Sequence, residues 1–503
     1  MKQVKIGAIL SYFLIVLNAL YGLIITPFVI SHLGNSSYGV YKTIMSLTTS
    51  LMVIDLGMGG TIQRYTAKYI AEKEENKLPN FIAMGLIISL ILSTLILAVS
   101  FVIFLLLDTI YGNTFDASQM SDAKVVFCIA VLMIIVHVFE NIFNGVITGH
   151  NKFAFGNGIK VGLLIARAVS LIIFLSLSNS IIGLVIVLLV VNSIFAIVEI
   201  IFVRFRLSLK IRFEKWEKGL FFEAGKFTIL MFLTSLVGQI CTNLDNVVIG
   251  AIKGPVYVTI YSVGLLIFAM FSQLSCGISG VMLPTVTNVL NSDNGDERII
   301  DVIIKAGRIQ FLLLGAAIIG FACIGRDFVF LWMGPGFEDV YIITLILIIP
   351  AVFELSVNVC LSILQAKNLL GFRTIALSVS AIINIIITII LVKEWSYIGA
   401  AIGTAISYVL CSLISMNWYY IKKLKLPMLR IYVSILGKIW ICQLISGIAL
   451  FVFSQFVHGS WLTLMFGILL FCGLYGLLLL LFGLNKNEKQ ELMFWKRHKG
   501  GVE

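Results

Sequence analysis

Charge is what this sequence has little of. Only 12% of its 503 residues are Asp, Glu, Lys or Arg, while 60% are hydrophobic. An ordinary soluble domain has about 25% charged and 45–50% apolar residues. With a mean hydropathy of +1.06, a soluble globular fold is excluded and a polytopic membrane protein is expected. Cysteine pairs are also missing. Eight cysteines are present, all inside apolar runs and none in a C-x-x-C, which reads as small helix residues rather than disulfides or metal ligands. There is no G-x-x-x-x-G-K-[ST]. The nearest stretch, from Gly219 to Phe227, has five residues between its glycines and Phe where a magnesium-binding hydroxyl belongs. H-E-x-x-H, G-x-S-x-G and an acidic metal cluster in a loop are absent too. Long loops are missing as well: the longest outer one expected, Asp108 to Asp122, has about fifteen residues, too few for a folded domain. An ATPase, a hydrolase and a loop-borne catalytic module are therefore not expected, and no cofactor or metal is.

What is present is a series of apolar runs of the roughly 20 residues a spanning helix needs. Fourteen begin near Ile6, Tyr38, Phe81, Ala123, Asn157, Ile181, Leu220, Val256, Ile300, Tyr341, Ile375, Tyr397, Ile431 and Trp461. The first, Ile6 to about Ile30, exceeds a signal-peptide core of about 7–15 residues and reads as an uncleaved span. With the N-terminus inside, 29 of the 36 Lys and Arg fall in inner segments and four (Lys124, Lys253, Arg326, Lys393) in outer ones. That bias supports fourteen spans with both termini inside. The net charge of +11 is thus expected to meet anionic lipid headgroups rather than nucleic acid.

The chain divides at RFRLSLKIRFEKWEK, residues 204–218, with six basic and two acidic residues. The expected parts are an N-terminal lobe (1–203), a flexible basic linker (204–218), a C-terminal lobe (219–425), two further spans (426–484) and a charged tail (485–503). A shift of 220 residues pairs Gly34 with Gly254, Tyr41 with Tyr261, Gly57 with Gly277 and Gly60 with Gly280. Six spans separate the copies, so the expected repeat is parallel, about an axis along the membrane normal.

An ionisable group at bilayer depth costs about 2.5–3.5 kcal/mol on insertion scales and usually faces a cavity or a partner. His137, Glu140, Asn141 and Asn144 share one helical face of span 4, either lining a cavity or joining helices. Arg167 lies midway along span 5. Its planar, permanently charged fork suits phosphate, with an ion pair to Glu140 as the structural alternative. Span 7 carries Gln239, Asn243 and Asn246 on one face, and Asp245 at a depth similar to Lys42 of span 2, so a Lys42–Asp245 pair closing the outer side is conceivable. Span 10 carries Glu354 with Asn358 and Gln365 on its face; Glu199 lies near the inner end of span 6, where snorkelling suffices. Pro27, Pro284 and Pro350 interrupt spans 1, 8 and 10, as gate hinges or static kinks.

The stretch Asp55-Leu56-Gly57-Met58-Gly59-Gly60-Thr61-Ile62-Gln63-Arg64-Tyr65, HLGNSSYGVY upstream (His32–Tyr41) and Asn243-Leu244-Asp245-Asn246-Val247-Val248-Ile249-Gly250 downstream resemble the polysaccharide-biosynthesis branch of the multidrug/oligosaccharidyl-lipid/polysaccharide exporter superfamily. The resemblance implies an all-α, MATE-like fold of two six-helix lobes plus two extra C-terminal helices. It also implies a central cationic cavity opening alternately to each side, a lateral gate between spans 1 and 8, and a lipid-tail groove at spans 13 and 14. The expected function is flipping of undecaprenyl-pyrophosphate-linked oligosaccharide repeat units across a bacterial cytoplasmic membrane, by a monomer driven by an ion gradient or the membrane potential, with a polysaccharide polymerase as a partner. Arg167 and Lys42 would receive pyrophosphate. His137, Glu140, Asn141, Asn144, Gln239, Asn243 and Asn246 would bind sugars, and Asp245, Glu140 or Glu354 would couple the ion. Pro27 and Pro284 would serve the gate. The rivals are an ion-coupled drug or metabolite exporter of the same fold, a membrane glycosyltransferase or polymerase, which the short loops disfavour, and a scaffold, which would not need polar stripes at bilayer depth.

Overall fold

A computed structural model describes residues 2–55, 57–209, 211–216, 243–290, 295–367, 369–456, 459–485 and 488–489. Apolar runs become helices because a helix satisfies its own backbone groups where lipid cannot. In chain order the helices are α1 (Lys2–Leu51), α2 (Met58–Ala71), α3 (Leu78–Tyr111), α4 (Ala117–Gly149), α5 (Phe153–Leu177), α6 (Ile181–Ile201), α7 (Asn243–Ile252), α8 (Pro255–Leu290) and α9 (Gly295–Met333). They continue with α10 (Asp339–Ser356), α11 (Val359–Ala366), α12 (Gly371–Tyr408), α13 (Met416–Leu424), α14 (Met428–Leu436), α15 (Ile439–Phe456) and α16 (Trp461–Leu478). Among the described residues, ten helical stretches are long and apolar enough to cross a membrane, eleven if the bent pair α14–α15 is one span. Their outward faces are greasy: Leu90, Ile91, Phe101 and Leu105 of α3 are all more than half exposed, as suits lipid contact.

Two of these helices fold back on themselves. Tyr21 and Tyr41 line one cavity, yet twenty residues of straight helix would part them by about 30 Å. The reversal is at Gly34, φ 78°. Likewise Asn384 Nδ2 donates to Thr404 Oγ1 at 2.9 Å, so α12 reverses at Ser396, φ 53°. The sequence already reads each as two spans. Gly254, partner of Gly34 in the 220-residue shift, also has positive φ (101°).

Other breaks interrupt expected continuous spans. Span 2 stops at a 3₁₀ turn, Met52–Asp55, before Gly57 in the left-handed region. Span 10 breaks at Val357, so Glu354 does not share one helix with Asn358 and Gln365. Span 13 bends by 44° around Gly437. The linker expected to be flexible is pinned over 211–216. The Asn80 side chain accepts from the Glu214 and Lys215 amides (2.9 and 3.3 Å) and donates to the Lys215 carbonyl (3.0 Å).

The chain packs as two compact units, residues 1–263 with 377–404, and residues 264–376 with 405–503. In the first unit α4 is central, touching α1, α2, α3, α5 and α6. Its start is fixed by a reciprocal cap: Asp116 Oδ1 accepts from the Gln119 amide (2.8 Å) and Gln119 Oε1 from the Asp116 amide (3.1 Å).

In the second unit the buried Arg308 of α9 ties three chain segments. Its Nε and Nη2 grip Glu488 (2.6 and 3.0 Å), Nη2 also reaches the Gly483 carbonyl (3.0 Å), and Nη1 reaches the Ser434 carbonyl (3.1 Å). Burial pushes the Glu488 carboxyl up, but the Arg308 bonds and the Asn485 amide outweigh it and hold it below its ordinary value. A carboxyl lowered by folding stabilises above its unfolded pKa, about 4.3, and loses that stabilisation as pH falls through the lower folded value. Glu488→Gln is therefore expected to lower the unfolding temperature at neutral pH and to remove part of its acid dependence. Tryptophan-fluorescence melts at several pH values check this; an unchanged pH dependence would contradict it.

Candidate functional site

The first unit contains a cavity of about 380 Å³, within the range of small-molecule sites. Both arms of α1 supply its wall, with Tyr21 from one and Tyr41, Thr48 and Thr49 from the other. The α4 helix gives His137 and Glu140, α5 gives Arg167, and α6 gives Asn192. Three residues singled out from sequence thus meet in one space. Each is placed by helical periodicity: His137 and Glu140 are one turn apart on α4, and Arg167 lies in the second half of α5.

Arg167 donates through Nε to Asn192 Oδ1 at 2.8 Å, its one hydrogen-bond partner among the described residues. The alternative Arg167–Glu140 ion pair does not form; Glu140 Oε2 sits 3.4 Å from His137 Nδ1 instead. Asn192 therefore orients the guanidinium and leaves its two Nη groups without an acceptor among the described residues. A bidentate phosphate contact needs such a fork.

Asn141 and Asn144 do not line this cavity. Asn141 Nδ2 donates to Asp55 Oδ2 (3.1 Å) and faces His137 Nε2 (3.3 Å). Asn144 Nδ2 donates to Glu199 Oε1 (3.0 Å). Glu199 is 1% exposed, so it does not snorkel; it is a buried carboxylate held by an amide. Asp55, also buried, was not singled out from the sequence. Its one available signal was a lone carboxylate in an apolar segment.

Lys42 places its ammonium 5.6 Å and 6.0 Å from the Tyr38 and Tyr41 ring centroids, a cation–π arrangement next to the cavity wall. It does not pair with Asp245. Asp245 accepts instead from Tyr261 Oη (2.5 Å), Thr404 Oγ1 (2.5 Å) and Thr388 Oγ1 (3.2 Å). Asn384, which bonds Thr404, keeps a buried Oδ1 with no partner among the described residues. The result is a buried shell of oxygens around one carboxylate, from α7, α8 and the folded-back α12. Asn246 joins α7 to α1 through Ser46 Oγ (3.0 Å). Asn243 is the first described residue of α7, and Gln239 lies outside the described residues. In the second unit Glu354 accepts from the Tyr408 hydroxyl. Pro27 lies in the first arm of α1 and Pro284 in α8.

The second unit holds an apolar groove of about 350 Å³ between α9, α15 and α16, with Gly320, Phe328, Leu450, Leu464 and Phe471 in its wall. It suits an alkyl chain. The segments that form it correspond to spans 9, 13 and 14 of the sequence.

The family model described as "Polysaccharide biosynthesis protein" matches residues 5–290. Two curated relatives come from Haloferax volcanii. The probable flippase AglR is 27% identical over 177 residues, 35% of this chain and 37% of its own. The probable low-salt glycan biosynthesis flippase Agl15 is 24% identical over 188 residues, 37% of this chain and 39% of its own. The chain thus spans under two-fifths of the length of these relatives. Among solved structures, the lipid II flippase MurJ in an inward closed conformation superposes with a TM-score of 0.73 at 15% identity, covering 94% of this chain and 97% of that one. An inward-facing multidrug MATE transporter follows at 0.65 and 16%, covering 85% and 98%. The fold is therefore the one these two solved structures share, and the chain is a multi-pass membrane protein.

Proposed function

We propose that this chain, which belongs to the polysaccharide biosynthesis protein family, is a flippase that moves an undecaprenyl-pyrophosphate-linked oligosaccharide across a bacterial cytoplasmic membrane by alternating access. The observation that carries the reading is Arg167. A permanently charged fork stands in the wall of a cavity inside a membrane-spanning bundle, steadied by Asn192 and with neither Nη group meeting an acceptor among the described residues. Pyrophosphate is the substrate group that rewards such a placement. His137, Glu140 and the tyrosine hydroxyls beside it offer partners to sugar hydroxyls, and the Lys42 charge adds to the field. Asn141 and Asn144 act through Asp55 and Glu199 rather than on the sugar. The apolar groove would take the lipid tail, and bending at Pro27 and Pro284 would serve the gate. The naming of AglR and Agl15 as probable flippases supports the same class, and the 29-to-4 charge bias supports cytoplasmic termini.

The ion that drives the cycle would bind at Asp245. A carboxylate ringed by the Tyr261, Thr388 and Thr404 hydroxyl oxygens is a hard-oxygen set, suited to sodium or a proton. That shell also favours the second reading, export of an organic cation on the same fold. Flipping of a fluorescent undecaprenyl-pyrophosphate oligosaccharide in proteoliposomes separates the two. The flippase reading expects translocation that responds to a sodium or proton gradient, with Asp245→Asn abolishing the response. Absence of flipping under either gradient, with Asp245-dependent efflux of a cationic dye, would establish the exporter instead.

A further inference from the structure

In the second unit, Arg308 is 4% exposed, and backbone carbonyls alone fix the plane of its guanidinium. Nη1 donates to the Ser434 carbonyl at 3.1 Å and Nη2 to the Gly483 carbonyl at 3.0 Å. Ser434 lies in the last turn of α14, where carbonyls lose their helical partners. Gly483 ends the π-helical turn that follows α16. The backbone at Gly437 is folded round the same group: φ is 45°, and a Cβ there would lie 2.8 Å from Arg308 Nη1. What the carbonyls leave is one edge of the fork, Nε with Nη2.

That edge holds an oxyanion. Glu488 places Oε1 2.6 Å from Nε and Oε2 3.0 Å from Nη2, and the Asn485 amide donates to the same Oε2 at 2.7 Å. Glu488 is partly exposed while Arg308 is buried, so the carboxylate covers the cation from outside. A phosphate presents the same pair of oxygens to such a fork and carries more charge. We propose that Arg308 is the centre of a binding site for a phosphate group, carried by a lipid headgroup or by a soluble anion, and that Glu488 fills it as a built-in competitor. The guanidinium keeps its two carbonyls in either state, so the exchange swaps one oxyanion for another and breaks no covalent bond.

The surroundings favour the headgroup over the free ion. Ile309 of α9, Val433 of α14 and Trp440 of α15 flank the site and are exposed. A cation rimmed by apolar side chains and an indole matches the level of lipid headgroups. Lys305, one turn before Arg308 on α9, is near enough to act on the Glu488 charge and would add to the attraction for phosphate. Asp301, a further turn away on the same face, opposes it from about 10 Å along the helix axis. Phosphate and the tail carboxylate thus exclude one another where spans 9, 13 and 14 meet. A site that Glu488 occupies in nine molecules of ten binds phosphate about tenfold more weakly than an open one. The site lies apart from the Arg167 cavity and holds whatever that cavity carries.

Melting of the full-length protein in an uncharged detergent and phosphate-free buffer tests the exchange. Glu488→Gln removes the competitor and is expected to melt lower than wild type. Dioleoyl phosphatidic acid should restore that loss; dioleoylglycerol, with the same chains and no phosphate, should not. Native mass spectrometry of the same samples counts bound lipid, and Glu488→Gln should half-saturate with phosphatidic acid at about a tenth of the wild-type concentration. Adding Arg308→Lys, which keeps the charge and loses the fork, should abolish the rescue. Should that double variant fail to fold, the contrast between the two lipids on Glu488→Gln alone still decides. Rescue by phosphatidic acid and not by inorganic phosphate identifies a headgroup site, and equal rescue by inorganic phosphate identifies a soluble anion. Rescue by neither, equal rescue by dioleoylglycerol, or equal phosphatidic acid binding in wild type and Glu488→Gln would overturn the proposal.

Discussion

Arg167→Ala is expected to reduce flipping of a pyrophosphate-linked oligosaccharide by roughly 30-fold to several thousand-fold. Removing one partner of a desolvated, hydrogen-bonded charge pair costs about 2–5 kcal/mol, and each ~1.4 kcal/mol is tenfold. The protein should still fold, because among the described residues Arg167 spends only Nε on a neighbour, Asn192. Alanine there removes one hydrogen bond at a cavity wall and opens the cavity slightly. Arg167→Lys should recover part of the activity: it restores the charge but not the planar fork. Flipping rates for the three proteins, at matched reconstitution, check this order. Full activity in the alanine variant would remove pyrophosphate from this cavity.

Gly39→Ala is expected to abolish assembly of the first unit. An alanine Cβ at this position would lie 1.8 Å from the Pro255 carbonyl oxygen, 2.4 Å from its carbon and 2.9 Å from its Cα. These are backbone atoms at the start of α8, so no rotamer can yield. The approach is also held by Thr259 Oγ1 of α8, which donates to the Asn35 carbonyl of α1 at 2.6 Å. Ordinary overpacking costs about 1–3 kcal/mol, and a backbone clash of this depth should exceed it. At Gly250→Ala the three nearest atoms all belong to the Thr43 side chain, the first at 2.7 Å, so the effect should be milder. Gly60→Ala, with nothing within 4 Å, should be nearly neutral. Size-exclusion profiles and melting of the detergent-solubilised variants give the ranking; a monodisperse, wild-type-like Gly39→Ala protein would contradict the packing described.

Local periodicity accounts for what the sequence could show. His137 and Glu140 share a helical face because 3.6 residues make a turn, and Arg167 is conspicuous because nothing charged surrounds it. The Gly34 reversal is visible as a change between two apolar runs. What stayed hidden depends on partners far away along the chain. Asp245 looks like half of an ion pair with Lys42 until residues 384–404 fold back and bring Thr388 and Thr404 to it. Asn141 and Asn144 read as cavity-lining amides because periodicity gives a face without saying what covers it. Asp55 on the 3₁₀ turn and Glu199 on α6 cover it. The linker reads as flexible from its charge, and it is Asn80, an unremarkable residue near the start of α3, that holds it.

The most direct test of the central claim is competition binding to the purified protein. A fluorescent undecaprenyl-pyrophosphate oligosaccharide would be displaced either by the same oligosaccharide on undecaprenyl pyrophosphate or by that oligosaccharide on the uncharged polyprenol. The account predicts that the pyrophosphate compound competes strongly, that the uncharged one competes far less, and that Arg167→Ala erases the difference. Equal competition by both compounds in the wild type would show that the cavity does not read the pyrophosphate.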